Sequence, residues 1–162
     1  MIPTDLEITA QQILLILPML MRIMAAEFRQ MQRALLPAHL SVMFILSQGS
    51  CNLSELAEQL AVSPPTMSNT VSKLVADGLV ARTRSEQDRR IVQITLTATG
   101  QTLLHEIVTS MVARVTELLT SLSTAELQTI DQGLAALQHA FTGISKFVSL
   151  PQFDKSCYVT QE

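Results

Sequence analysis

The chain has 162 residues, 11 Lys+Arg against 14 Asp+Glu, and a formal net charge of −3 at pH 7. Apolar residues make up 48% of it, aromatics 4% and charged residues 15%, with no Trp. The length suits one domain with a sizeable core, and the balance favours helices packed through aliphatic side chains. The overall sign excludes a uniformly basic nucleic-acid binder, so any phosphate binding has to rest on where the charge sits. The low charge content leaves apolar surface for a second chain to cover. Two cysteines, Cys51 and Cys157, with no C-x-x-C pair, exclude a disulfide framework and fit a reducing cytoplasm. The longest uninterrupted apolar run, Ile13 to Met21, is about half of the roughly 20 residues a bilayer span needs. It contains Pro18 and follows acids, which argues against a signal peptide and against a membrane partner.

The first long segment, Leu6 to Leu35, carries Ile13, Leu17, Leu20, Met24, Phe28, Met31 and Leu35 at helical spacing. Pro18 predicts a kink, or a short first helix ending near Leu17. A second helix is expected from about Pro37 to Gln48, stopped by Gly49-Ser50. In "NLSELAEQLAVSPPTMSNTVSKLVADGLV", Asn52 caps the next helix, and Glu55 three residues on closes a capping box. Leu56, Ala57 and Leu60 point inward from it. The turn is Ala61-Val62-Ser63, where Ser63 caps a further helix and Pro64 occupies its first turn. Met67, Val71, Leu74 and Val75 form that helix's buried face, and Asp77-Gly78 ends it.

Two strands follow, Leu79 to Arg84 and Ile91 to Leu96. In the second, Ile91, Gln93 and Thr95 face one way and Val92, Ile94 and Leu96 the other. The polar loop Ser85 to Arg90 joins them. Thr97 or Thr99 caps a long helix to about Leu122, with the seam Leu104, Val108, Met111, Val115, Leu118, Leu122. Ser123, with Glu126 at the box position, opens the last helix, whose seam is Leu127, Ile130, Leu134, Leu137, Phe141, Ile144. Both seams alternate three and four, the pattern of helices that pack lengthwise, within a chain or between chains. The tail beyond Lys146 has no clear period.

The helices from Leu53 to Asp77 have helix-turn-helix spacing, with small residues at the crossing (Ala57) and the turn (Ala61). Such a motif lays its second helix in the DNA major groove. That helix exposes Pro65, Thr66, Ser68, Asn69, Ser72 and Lys73, short hydrogen-bonding groups and one cation, suited to base edges and phosphates. The competing reading is a helical pair that only packs. The hairpin shifts the balance. Four of the eight arginines, Arg82, Arg84, Arg89 and Arg90, fall on it, and an Arg-rich wing tip suits the minor groove. A solvated hairpin without a partner is the bland alternative.

"LSELAEQLAVSPPTMSNTVSKLVADGLVARTRSEQDRRIVQITLTATGQTLL" resembles the MarR-type bacterial transcription regulators. The resemblance is close from Leu36 to Leu104 and holds in outline for the flanking helices. Its most specific pieces are Gly78-Leu79-Val80, Asp88-Arg89-Arg90 and Leu96-Thr97-x-x-Gly100. It implies a mainly α fold with a small β-hairpin: a winged helix-turn-helix over 37–100, an N-terminal dimerisation region over 1–36, C-terminal dimerisation helices over 101–146, and a tail over 147–162. It implies a cytoplasmic homodimer that binds double-stranded DNA at an inverted repeat, most often as a repressor. Arg90 would enter the minor groove, with Asp88 orienting it. The expected DNA-binding set is Ser63, Pro65, Thr66, Ser68, Asn69, Thr70, Lys73, Arg82, Arg84, Asp88, Arg89 and Arg90. Departures from the family pattern are Asn69-Thr70-Val71-Ser72-Lys73, where many relatives carry an Arg, the Pro64-Pro65 pair, and Pro18.

Many members release DNA on binding a small aromatic or phenolic effector. Met24, Phe28, His39 and Met43 are the candidate lining here, against a reading of Met24 and Phe28 as plain core and of His39 as a solvated first-turn residue. Oxidant sensing through an N-terminal Cys does not carry over, because no Cys precedes Cys51. Cys51 reads as a buried structural thiol, with a reactive thiol at a helix N-terminus as the alternative. Catalysis is not expected. The histidines His39, His105 and His139 are scattered, no metal-ligand spacing or phosphate loop occurs, and no cofactor is implied. A winged helix used only for protein contacts is the remaining alternative.

Overall fold

The computed structural model describes residues 4–30, 35–84 and 92–142, with the side chains of 27–30 and 142 left undescribed. The chain divides into two compact units, Met1–Leu35 and Leu36–Glu162. Among its described residues the first holds one helix, α1, Asp5–Gln30. It opens on a box that the apolar periodicity did not flag: the Thr4 N–H donates to Glu7 Oε2 at 2.8 Å, and the Glu7 N–H to Thr4 Oγ1 at 3.3 Å. The helix runs on through Pro18, so the expectation of a short first helix ending near Leu17 is corrected. One lost backbone bond and a ring clash cost about 3 kcal/mol. The Leu, Met, Ala, Gln and Glu residues on either side are strong helix formers that offset it. Apolar side chains stand exposed around α1, among them Leu14, Leu15, Ile16, Met19 and Met21.

Continuity also changes the membrane arithmetic. Asp5–Ala26 is 22 residues long with mean hydropathy 1.6, enough by length and composition to cross a bilayer. The uninterrupted run understated this, because Thr9, Gln11, Gln12 and Arg22 do not end a helix. A helix covered by other protein has the same profile.

In the second unit, α2 (Pro37–Ser47), α3 (Leu53–Gln59), α4 (Pro64–Ala76), α5 (Ala98–Leu119) and α6 (Thr124–Thr142) accompany three short strands, β1 (Cys51–Asn52), β2 (Val80–Arg84) and β3 (Val92–Leu96). The sheet order is β1-β3-β2, antiparallel throughout, with Cys51 opposite Ile94 and Val80 opposite Leu96. The sequence foretold the hairpin but not β1, which is too short to show a period. The caps fall where the sequence put them. Asn52 Oδ1 accepts from the Glu55 N–H at 3.0 Å while Glu55 Oε2 accepts from the Asn52 N–H at 2.8 Å. Glu126 Oε2 accepts from the Ser123 N–H at 2.8 Å and from Oγ–H at 2.7 Å, and these bonds hold the Glu126 carboxyl below its usual range.

The core is aliphatic: Leu40, Val42, Met43 and Leu46 from α2, Leu56 and Ala57 from α3, Met67, Val71 and Leu74 from α4, then Leu79, Val80, Ile94, Leu103, Leu104 and Ile107. Two expected core members are not in it. Leu60 is half-buried, and Val75, 37% exposed, lies at the edge of the buried stripe of Met67, Val71 and Leu74. The α5 seam leaves the core after Leu104 and Ile107, and Leu118 is exposed. On α6, Leu127, Ile130, Leu134 and Phe141 are all exposed. Within one chain these seams therefore lie largely open.

The base of the hairpin is locked by Thr97, which decides between the two candidate caps. Its Oγ1 accepts from the Gly100 N–H at 3.0 Å and shares its own proton between the Gly78 carbonyl at 2.8 Å and the Leu79 carbonyl at 3.0 Å. The Leu79 carbonyl also accepts the Thr97 N–H at 3.0 Å. Gly100 lies so close that a methyl there would collide with the Leu79 carbonyl oxygen. Gly100→Ala is expected to destabilise the fold by about 2–3 kcal/mol through this overpacking, although alanine is the better helix former. Urea unfolding at constant m-value measures it, and an unchanged midpoint contradicts it.

Candidate nucleic-acid interface

The two helices α3 and α4 meet at a tight turn. Ala61 adopts φ 50°, the left-handed region a glycine would occupy without strain. Ser63 then caps α4, its Oγ accepting from the Thr66 N–H at 3.3 Å and sharing a hydrogen bond of 2.8 Å with Thr66 Oγ1. Pro64 takes the first helical position. Ser63 and Thr66 are thus occupied in starting the helix. Thr70 is half-buried, and its Oγ1 donates to the Thr66 carbonyl at 3.0 Å. Ser68 is half-buried as well. Pro65, Asn69, Ser72 and Lys73 form the open face of α4.

The cations are partly engaged. Lys73 Nζ lies 2.8 Å from Asp77 Oδ1, one turn on, in an exposed pair of modest worth. Arg82 Nη2 donates to Ser72 Oγ at 3.0 Å, crossing from β2 to α4. Sequence reasoning had Ser72 on the exposed face but had no signal for this bond, which joins residues ten apart through the fold. Arg84 is exposed at the end of β2, opposite Val92. Asp88, Arg89 and Arg90 lie outside the described residues, as do Ile91 and the rest of the loop.

The candidate effector residues fall in both units. Met24 lies on α1, partly exposed, and Phe28 lies on the same helix with its side chain undescribed. Met43 is fully buried in the core of the second unit. His39 is buried too, which corrects the solvated reading. Its Nδ1 accepts the Leu36 N–H at 3.1 Å, doing for α2 what a Glu does in a capping box. Burial lowers its pKa from the usual value; Asp77 opposes that shift and Lys73 adds to it. Cys51 is half-buried, and burial followed by the nearby Glu55 carboxylate raises its thiol pKa. It is held as a thiol, so the reactive reading is not supported. Among the described residues no cluster of His, Cys, Asp or Glu could hold a metal ion.

Polar helix, tight turn and Arg-bearing hairpin together define a winged helix-turn-helix. Residues 36–92 match the sequence model described as the MarR family. Over those residues the chain is similar to that family. The "HTH-type transcriptional repressor MdtR" of Bacillus subtilis is 32% identical over 92 residues, 56% of this chain and 59% of that one. The "Uncharacterized HTH-type transcriptional regulator YwhA" of the same organism is 28% identical over 79 residues, 45% of this chain and 57% of that one. The matched part thus spans under three fifths of these curated relatives. Among solved structures, YusO of Bacillus subtilis has 25% identity and a TM-score of 0.66, covering 85% of this chain and 99% of its own. Rv1404 of Mycobacterium tuberculosis has a TM-score of 0.77 at 22% identity, covering 86% and 95%, which shows a shared fold. The family is one of transcription regulators, not enzymes.

The buried His39 has a consequence for acid stability. Its pKa is lowered in the fold, so the unfolded chain binds the proton more readily. The stability carried by neutral His39 is present above its ordinary value of 6.5 and is lost as pH falls through the lower folded value. The urea midpoint is expected to decline on that side. His39→Asn keeps an acceptor near the Leu36 N–H without a titrating ring and should flatten the decline; an identical pH profile for both proteins refutes the assignment.

Proposed function

We propose that the protein is a transcription regulator that binds double-stranded DNA as a homodimer, acts as a repressor at an inverted repeat, and is released by a small aromatic or phenolic effector. The observation that carries the DNA reading is the open polar face of α4 beside an exposed, Arg-bearing strand: Asn69, Ser72 and Lys73 next to Arg82 and Arg84. Asn69 is the side chain best suited to base readout, since Asn pairs bidentately with adenine. Pro65 and Ser68 flank it, while Ser63, Thr66 and Thr70 shape the helix. Arg84 extends the positive charge towards the hairpin loop, where Asp88, Arg89 and Arg90 would complete a wing in the minor groove.

The homodimer is supported by the apolar residues left open on α1, α5 and α6 in a chain with only 15% charged residues. Two-fold symmetry then sets the half-sites about one DNA turn apart, roughly 34–36 Å. The repressor assignment follows the name of the MdtR relative. The effector rests on the family resemblance alone. The second reading, a winged helix for protein contacts alone, gives no reason for four arginines on one hairpin. A cytoplasmic location accompanies the DNA reading.

Arg90→Ala should weaken binding to selected and generic duplexes alike, since minor-groove readout is degenerate. The salt slope should fall by about 0.9 per subunit, roughly two per dimer. Asn69→Ala should cost about 1–3 kcal/mol at a subset of base pairs with little change in slope. Affinity titrations across salt concentration on one duplex separate the two variants. An unchanged slope for Arg90→Ala removes the wing from the groove, and no mobility shift of generic duplex by the wild type at low salt favours the protein-contact reading.

Light scattering of the full chain at micromolar concentration should give twice the 17.8 kDa chain mass. A well-folded monomer there overturns the dimer.

A further inference from the structure

We propose that Arg82 is a positioning residue: through Ser72 it fixes the recognition helix α4 against the wing, and it does not itself contact DNA. This rests on the DNA-binding reading above. The strand β2 leaves the core abruptly. Val80 is 2% exposed, Ala81 is half-buried, and Arg82, Thr83 and Arg84 are exposed. Beyond Val80, β2 is held by its ladder to β3, itself anchored by β1 and by buried Ile94, and Arg82 adds a side-chain tie to α4. Side chains alternate along a strand, so Arg82 shares the face of Val80, which packs into the core. Its guanidinium is therefore aimed back over α4, where Nη2 meets Ser72 Oγ at 3.0 Å.

The place of that contact matters. Ser72 is three residues after Asn69, and residues three apart are neighbours on one helix face. Arg82 thus fastens the wing to the point on α4 adjoining the base-reading candidate. Thr97 already fixes the start of β2 at Gly78 and Leu79, so the Arg82–Ser72 bond acts on the exposed outer part of the strand. The neighbouring cation is held in a similar way, Lys73 being paired with Asp77 on its own helix. The clasp sets the angle between the part of the molecule in the major groove and the part in the minor groove. Fixing that angle favours duplexes on which both fit at once, so the residue governs discrimination more than gross affinity.

The test is a double-mutant cycle in the full chain: Ser72→Ala, Arg82→Ala and the pair. The probes are a duplex selected from a randomised pool on the wild type and a mixed-sequence duplex, each titrated across salt concentration. Ser72→Ala removes no charge and substitutes a good helix former, so it leaves thermal melting in place. It is expected to reduce the selected-to-generic affinity ratio about fivefold, as for loss of one hydrogen bond to a charged group at the surface, with an unchanged salt slope. Arg82→Ala should reduce the ratio equally, and the double variant should lose no more than either single one. Additive losses overturn the proposal. So does a slope lowered by about 0.9 per subunit for Arg82→Ala with Ser72→Ala like wild type, which makes Arg82 a phosphate contact. If the wild type binds neither duplex, the DNA-binding reading falls and this proposal with it; if the wild type binds and the losses are additive, this proposal falls alone.

Discussion

The fold of the second unit depends on the junction where Thr97 meets Gly78 and Leu79. One hydroxyl there closes three features. It caps α5 through the Gly100 N–H, satisfies carbonyls at the end of the recognition helix, and sits where β3 returns to the core. Gly100 lets α5 approach the Leu79 carbonyl closely enough for this to happen. The helix-turn-helix, the hairpin and the long helix thereby share one fixed point. Buried backbone polar groups tolerate few alternatives, because leaving one unpaired costs about 1–3 kcal/mol, more than a hydrogen bond contributes net. The motif Leu96-Thr97-x-x-Gly100 thus has a mechanical meaning: threonine as donor and acceptor, glycine for the close approach.

From that fixed point outwards, charge is spent locally before any partner arrives. Asp77 pairs with Lys73, and Ser72 takes a hydrogen bond from Arg82. Glu55 and Glu126 are occupied at helix N-termini. Among the described residues, the one cation on α4, Lys73, is paired with Asp77, while Glu55 and Glu126 serve helix caps elsewhere. The same economy governs the titratable core. His39 is neutral and accepts a backbone N–H at the start of α2, and Cys51 is kept protonated by burial and by Glu55. His39 is thus engaged at a helix start, and the Cys51 thiolate is disfavoured.

The apolar seams follow a different logic. In α5 the seam begins in the core at Leu104 and ends exposed at Leu118, while α6 exposes Leu127, Ile130, Leu134 and Phe141 along its length. A stripe of that regularity is too apolar to leave to water in a chain with so few charges. The proposed second copy of the chain meets the need without any further residue type. α1 poses the same need by itself, with apolar residues around much of its circumference.

Local chemistry in the sequence by itself determined the order of the elements and most of their ends. Asn52 with Glu55, Ser63 before Pro64, and Ser123 with Glu126 are each complete within four residues, so no tertiary contact is needed to place them. The alternation around Ile94 belongs to the same class, whereas the positive φ at Ala61, disfavoured for a residue with a Cβ, came from the tertiary turn between α3 and α4. Most of the candidate interface was legible for that reason: the open face of α4 is what remains once Met67, Val71 and Leu74 turn inward. Tertiary structure decided what depends on residues far apart in the chain. β1 exists because Cys51 and Asn52 meet Ile94 and Gln93, not because two residues have a period. Val75 faces water and His39 does not, since helix orientation against the core sets both. Arg82 turned out to face Ser72 because the sheet aims it there, while its residue type suits a phosphate equally well. The continuity of α1 through Pro18 was the outcome of a balance between one lost hydrogen bond and many good helix formers, and counting a single breaker could not weigh it.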